Sequence, residues 1–340
     1  MDVDQQLGKP PITPKPHDIL WFLDGNVVLA TDTYLFKVHK SLLSLHSSVF
    51  KDMFELPNIG HESSNLEGPG RSDTLLASLS YEGVPMVTMI GDKGKDVAHL
   101  LRAVFEPDYY HRDNDETPLE VIVALLLLST KYDFNVVRKS VILHISRHYP
   151  MTLQEYDALY INDPPMFGKE RRAECHFPLL AAAVTADVDV LLPGLFLACS
   201  EFGIDEIFSK TQSMTRETQR TLMNGRESIS CAKGDLISSL SEQLRRYDTR
   251  GKCQNETPCL KEAYFRDTGL FVLLPLGDAI GKKAVRSYIS PICRGCSSVV
   301  ARMIDENRAE IWKDVLSFFD LSEWEQWEDF QAKLKVIVES

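Results

Sequence analysis

Residues 34–54, YLFKVHKSLLSLHSSVFKDMF, change their side-chain rhythm at a single histidine. Before His39, the apolar residues Tyr34, Phe36 and Val38 recur at every second position, as on one face of a strand. Beyond it, Leu42 and Leu45 follow at helical spacing. Val49, Phe50, Met53 and Phe54 form a second stripe, with Ser47 or Ser48 placed to cap its start. A strand that becomes a helical hairpin within one residue restricts this part of the chain to folds in which helices cap a sheet directly.

The flanking sequence extends that unit in both directions. DILWFL at 18–23 and NVVLAT at 26–31 lie either side of the turn signal Asp24-Gly25-Asn26, which predicts a hairpin and a small antiparallel sheet with the strand at 34–38. Residues 55–80 hold Gly, Pro, Ser and Asn without a sustained period and read as a long mobile loop. The run VPMVTMI at 84–90 reads as a further strand. Val97, Leu100, Leu101, Val104 and Phe105 mark an amphipathic helix that Pro107 ends. Thr117, Pro118 and Glu120 spell a capping box with proline at the first helical position, ahead of an almost uniformly apolar helix through Leu128. A one-sided helix with Phe134, Val137, Val141 and Ile145 follows, and Pro150 closes the unit.

A chain of 340 residues exceeds the usual single-domain range, so a second core is expected. The expectation is a disordered leader over 1–17, which holds four prolines, a first domain over 18–150 and a mainly helical extension over 151–340. In the extension, residues 177–208 read as a helix pair hinged near Pro193. Ile229, Leu236, Leu240 and Leu244 support one long helix, and Val300, Ile304, Ile311, Val315 and Phe319 another. Residues 160–175 and 247–262 read as loops, and no internal repeat is visible.

The order of strands, helical hairpin, strand, helix and helix pair resembles the BTB/POZ domain. FKVHKSLLSLHSSVFKDMF at 36–54 carries the likeness, supported by DVAHLLRAVFEP at 96–107 and LEVIVALLLLSTKYDFNVVRKSVILHI at 119–145. The longer chain is similar to fungal BTB proteins with a helical carboxy-terminal extension. The resemblance implies an α+β fold, a small sheet packed on a helical cluster, with a surface that dimerises or docks partners and no catalytic activity. It also implies that His39 is a packed turn residue. Many family members place an acid at the start of the strand that Asn26 opens here and a basic residue after the histidine, where this chain has Lys40. Self-association is expected even so.

Chemistry-bearing residues are sparse. Seven cysteines, all beyond residue 174, argue for a reduced compartment rather than a secreted disulfide scaffold. Cys253 and Cys259, followed by the tight pair Cys293 and Cys296, form a candidate zinc set. Four thiolates would close the ion's coordination, giving a structural site. The alternative is a loop pair and two half-buried thiols. His144 and His148, four apart, read as a solvated helix face, and Asp187 and Asp189 as part of a helix junction. Trp312, Phe318, Phe319, Trp324, Trp327 and Phe330 read as a packed carboxy-terminal core. The usual nucleotide-cradle, hydrolase-elbow and metalloprotease signatures are absent from the sequence.

A formal net charge of −12, with no Lys/Arg run longer than two, speaks against direct nucleic-acid binding. Apolar runs such as VIVALLLL at 121–128 are too short to cross a bilayer. The expectation is an intracellular, non-enzymatic interaction protein of cytoplasm or nucleus, homo-oligomeric and bound to protein partners. The resemblance implies an adaptor for a cullin-type ubiquitin ligase, and Met53-Phe54-Glu55 is similar to the hydrophobic-x-Glu element of some such adaptors. The alternative is a transcription-associated regulator that recruits corepressors through the same domain.

Overall fold

The computed structural model describes residues 13–56, 80–248, 253–255, 258–321 and 327–339. Contacts divide the chain into two units, Met1–Val141 and Ile142–Ser340. In the first, β1 (Lys15–Trp21), β2 (Val27–Ala30), β3 (Tyr34–Val38), β4 (Ser80–Tyr81) and β5 (Val84–Thr88) build one sheet in the order β1-β3-β2-β5-β4. α1 (Lys40–His46), α2 (Ser48–Glu55), α3 (Gly94–Phe105) and α4 (Leu119–Lys131) belong to the same unit, and α5 (Asn135–Ser146) spans the division.

The class is α+β, but the sheet is mixed rather than antiparallel throughout. β2 with β3 and β4 with β5 are antiparallel, whereas β1 with β3 and β2 with β5 are parallel. The hairpin expected around Asp24-Gly25-Asn26 does not form, because β1 lies beside β3 instead of β2. Phe22 and Asn26 donate their backbone N–H groups to the carbonyls of Lys37 and Val38. Gly25 serves this close approach, since a Cβ there would stand 2.9 Å from the Lys37 backbone. The tight turn with two positive φ angles occurs later, at Glu82 (52°) and Gly83 (80°), and joins β4 to β5.

All four β2 residues are buried, so both sheet faces are covered at that strand. Val27 and Leu29 share a face with their partners Val38 and Phe36, while Val28, Ala30 and Leu35 pack on the other beneath Trp21, Tyr81, Val84 and Met86. Thus Phe36 and Val38 share the face that their alternation predicts. Leu43, Phe50, Leu100, Ile122, Leu125 and Phe134 are among the other buried apolar residues of this unit.

Helix starts divide between expected and unexpected. The Ser47 side chain accepts the Phe50 N–H at 3.0 Å and caps α2, as its position predicts. The capping box read at Thr117 is absent: α4 begins at Leu119, and the Thr117 hydroxyl donates to the Asn114 carbonyl at 2.9 Å. A complete box stands instead at Thr152 and Glu155. β1 begins at Lys15, three residues ahead of Asp18. Residues 1–12 of the expected leader and 57–79 of the expected loop lie outside the described residues.

The second unit is built of α6 (Leu153–Asn162), α7 (Arg172–Thr185), α8 (Leu192–Ser200), α9 (Ile204–Lys210), α10 (Arg216–Arg246), α11 (Thr268–Leu273), α12 (Gly281–Tyr288), α13 (Arg294–Phe318) and α14 (Trp327–Glu339). Pro193 opens α8 rather than marking a hinge. The break comes earlier, where Asp187 takes φ 50° after α7. The long helices α10 and α13 carry the core, with Leu222, Ile229, Leu236, Leu240 and Leu244 buried on one and Val300, Ile304, Ile311 and Val315 on the other. Gly225 of α10 lies against the ring of Phe319, which a Cβ would approach to 2.0 Å. Trp312 stacks on Trp327 at 5.1 Å and Phe196 on Phe319 at 5.5 Å. Trp312, Phe319, Trp327 and Phe330 therefore form a packed core, while Phe318 is half-buried and Trp324 lies outside the described residues. No helix among the described residues is long and apolar enough to cross a membrane.

Candidate functional site

The strand-to-helix junction is built as the residue rhythm requires. β3 ends at Val38, His39 keeps extended angles (φ −101°, ψ 120°) as the N-cap residue, and α1 begins at Lys40. The imidazole lies against the Phe22 ring at 5.4 Å, with Nε2 3.5 Å from Asp24 Oδ1. This packed turn position matches the role that the resemblance implies. Asn26 Oδ1 accepts the Lys40 backbone N–H at 2.8 Å, satisfying a donor of the first turn. The Lys40 ammonium lies 5.3 Å from the centre of the Phe54 ring. Lys40 is half-exposed, so the ring and solvent support its charge, and no carboxylate pairs with it among the described residues. Around this hairpin Leu45 is 74% and Leu56 70% exposed, and Glu55, next to Leu56 in sequence, faces solvent.

In the second unit, the four sequence-selected cysteines converge. The Sγ atoms of Cys253, Cys259, Cys293 and Cys296 all lie within 4.8 Å of one another, and Cys253 and Cys259 are 3.5 Å apart. Cys253 lies in the connection after α10, and Cys259 opens a three-residue 3-10 turn. Cys293 is the N-cap residue of α13, and Cys296 stands in its first turn. The Gln254 N–H donates to Cys293 Sγ at 3.4 Å, and Asn255 Nδ2 donates to Cys259 Sγ at 3.1 Å. Backbone N–H groups of Gln254 and Cys296 pull the Cys293 thiol down to about 6. Those of Cys259 and Asn255 lower Cys253, whereas burial raises Cys296. Four soft sulfur donors at this separation have the chemistry of a zinc site.

The remaining cysteines behave differently. Cys175 and Cys199 sit in the apolar core, where burial pushes the first thiol up to about 11 and the second well above its ordinary value. Cys231 is exposed. His144 and His148, read as a solvated face, are buried instead, because the ring of Phe167 covers both at 4.9 and 4.8 Å. Asp187 lies at the α7 break and Asp189 bonds the Val190 N–H at 2.8 Å, which makes them junction residues as expected.

Sequence reasoning missed a buried polar frame around residues 274–281. Glu201 accepts the Leu276 N–H at 3.1 Å and the Tyr156 hydroxyl. That hydroxyl in turn accepts the Gly277 N–H at 3.1 Å. Lys233, 3% exposed, donates to the Leu274 carbonyl. Burial raises the Glu201 carboxyl to about 7 and lowers the Lys233 ammonium to about 8. Arg308, 1% exposed, forks onto Asp157 at 2.6 and 3.2 Å and reaches the Leu276 carbonyl at 3.2 Å. These groups partner backbone atoms at the start of the short 3-10 helix Leu276–Ala279 and just before it. A cavity of about 440 Å³ beside them is lined by Tyr149, Tyr160, Arg172, His176, Glu201 and Lys283 among others. Much of its polar wall is already paired internally, Tyr149 with His176 at 2.9 Å and Lys283 with Asp278.

Comparison with known proteins gives one finding. Residues 23–72 match the family model of the BTB/POZ domain. No curated protein and no solved structure matches the chain.

Proposed function

We propose, from the match of residues 23–72 to the BTB/POZ domain model, that the chain is a non-enzymatic adaptor, self-associating through this domain and recruiting a cullin-type ubiquitin ligase. A BTB/POZ domain is a protein-interaction module, so a general binding role follows from the family match alone. The cullin is the finer step. It is supported by the hairpin of α1 and α2, where Met53 and Phe54 are half-buried, Glu55 is exposed, and Leu45 and Leu56 offer apolar contact area. In this reading the amino-terminal domain, extending over 18–150, binds the ligase, and the helical extension over 151–340 selects the protein to be modified. The protein works inside the cell, in cytoplasm or nucleus.

The observation that carries the proposal is the family match over the strand-to-helix junction. Its test is titration of the purified full-length chain with the amino-terminal half of a purified cullin, followed by calorimetry. A stoichiometric complex that Leu45→Asp with Leu56→Asp abolishes supports the adaptor. Absence of heat, together with binding of a corepressor fragment in the same assay, would replace it with the transcription-associated regulator.

A further inference from the structure

We propose that Cys253, Cys259, Cys293 and Cys296 bind one zinc ion in a closed, structural tetrathiolate site. The first argument is size. Four thiolates around a single zinc at about 2.3 Å stand roughly 3.8 Å apart at the corners of a tetrahedron. The four Sγ atoms lie within 4.8 Å of one another, with one pair at 3.5 Å, which fits one ion of that radius. A four-iron cluster holds its cysteine sulfurs much farther apart around a cage, so the spacing speaks for a mononuclear site.

The second argument is hydrogen bonding. Sulfur is a weak acceptor when protonated, yet the Gln254 N–H and the Asn255 amide both turn toward cluster sulfurs. Such donors orient metal-bound thiolates and offset part of their negative charge. The amino-terminal end of the 25-residue helix α13, where Cys293 and Cys296 sit, adds a favourable field.

The third argument is what the connection otherwise lacks. Among the described residues of 253–265, Leu260 alone is fully buried. Regular backbone structure there amounts to the turn Cys259–Lys261 and one bridge between Phe265 and Ile289. A segment with so little apolar burial does not hold its place by packing. Ordinary core cysteines, such as Cys175 and Cys199, are fully buried in apolar surroundings, whereas Cys253, Cys259 and Cys293 are half-exposed and meet one another. The metal would tie the connection after α10 to the first turn of α13. With four sulfur ligands it would leave no position for water, so its role is to hold the fold.

The site is independent of the adaptor reading and would stand if that reading failed. The test begins with the full-length protein, expressed in zinc-supplemented medium and purified under reducing conditions, then examined by native mass spectrometry and elemental analysis. The expected result is one zinc per chain. Replacement by cobalt should give the intense visible bands of tetrahedral thiolate coordination. Cys253→Ser with Cys293→Ser should reduce the zinc from one to none, while Cys231→Ser keeps it. Metal-free wild-type protein, a weak octahedral cobalt spectrum, or a metal-free mass lower by two hydrogen atoms per chain, which shows a disulfide in place of metal, would each overturn the proposal. The wild-type measurements decide it even if the double variant does not fold.

Discussion

Replacing Arg308 by methionine removes one guanidinium from the interior of the second unit while keeping a flexible apolar stem. Arg308 is 1% exposed, with a two-bond fork to Asp157, a 3.2 Å contact to Asp305 and another to the Leu276 carbonyl. Removing one member of a buried pair costs about 3–5 kcal/mol. Asp157 is 26% and Asp305 44% exposed, so water partly compensates both carboxylates and the lower end of that range applies, about 3 kcal/mol. The orphaned Leu276 carbonyl adds about 1 kcal/mol. Arg308→Met should therefore destabilise the second unit by about 4 kcal/mol.

Urea unfolding followed by tryptophan fluorescence is a suitable assay, because Trp312, Trp324 and Trp327 lie in this unit and only Trp21 in the other. A double-mutant cycle with Asp157→Asn should show a coupling of about 1–3 kcal/mol. A loss below about 1 kcal/mol, the value of an exposed pair, would refute the reasoning, since it would mean that water reaches the guanidinium.

Two further predictions concern the same unit. Gly225→Ala places a methyl group into the Phe319 ring and should cost about 1–3 kcal/mol, although alanine is the better helix former; a stabilised variant would show that α10 and the ring do not meet. Burial holds the His176 imidazole down to about 3 from an ordinary 6.5, so below pH 6.5 the unfolded chain takes up a proton that the folded chain refuses. The resulting stability is complete above pH 6.5 and is lost as pH falls toward 3. The stability difference between wild type and His176→Gln should shrink by up to about 1.4 kcal/mol per pH unit over that window, and a constant difference would contradict the burial argument.

What could be read from residues alone depended on how local the physics was. The junction at His39 and the Ser47 cap are set within a few residues, and both follow from side-chain period and cap chemistry. The partner of β1 is not local: Asp24-Gly25-Asn26 has hairpin chemistry, but Gly25 is required by the Lys37 backbone facing it across the sheet. Thr117 and Thr152 carry the same T-x-x-E pattern, and only the tertiary setting decides that the first hydroxyl turns back to Asn114 while the second caps a helix. Cys253, Cys259, Cys293 and Cys296 could be selected as one set from their residue type and the tight second pair, whereas the loop geometry that carries the first pair across 33 intervening residues to the start of α13 could not be read. Arg308, Lys233 and Glu201 look like ordinary surface charges in sequence, because their partners are backbone atoms of Leu274 and Leu276, distant in the chain and met only in the fold.

The central claim is that the amino-terminal domain exists to hold another protein chain. Sedimentation velocity of the full-length protein over a concentration series reaching tens of micromolar tests it most directly. The account predicts a concentration-dependent shift to a dimer, and a strictly monomeric boundary at every concentration would contradict it.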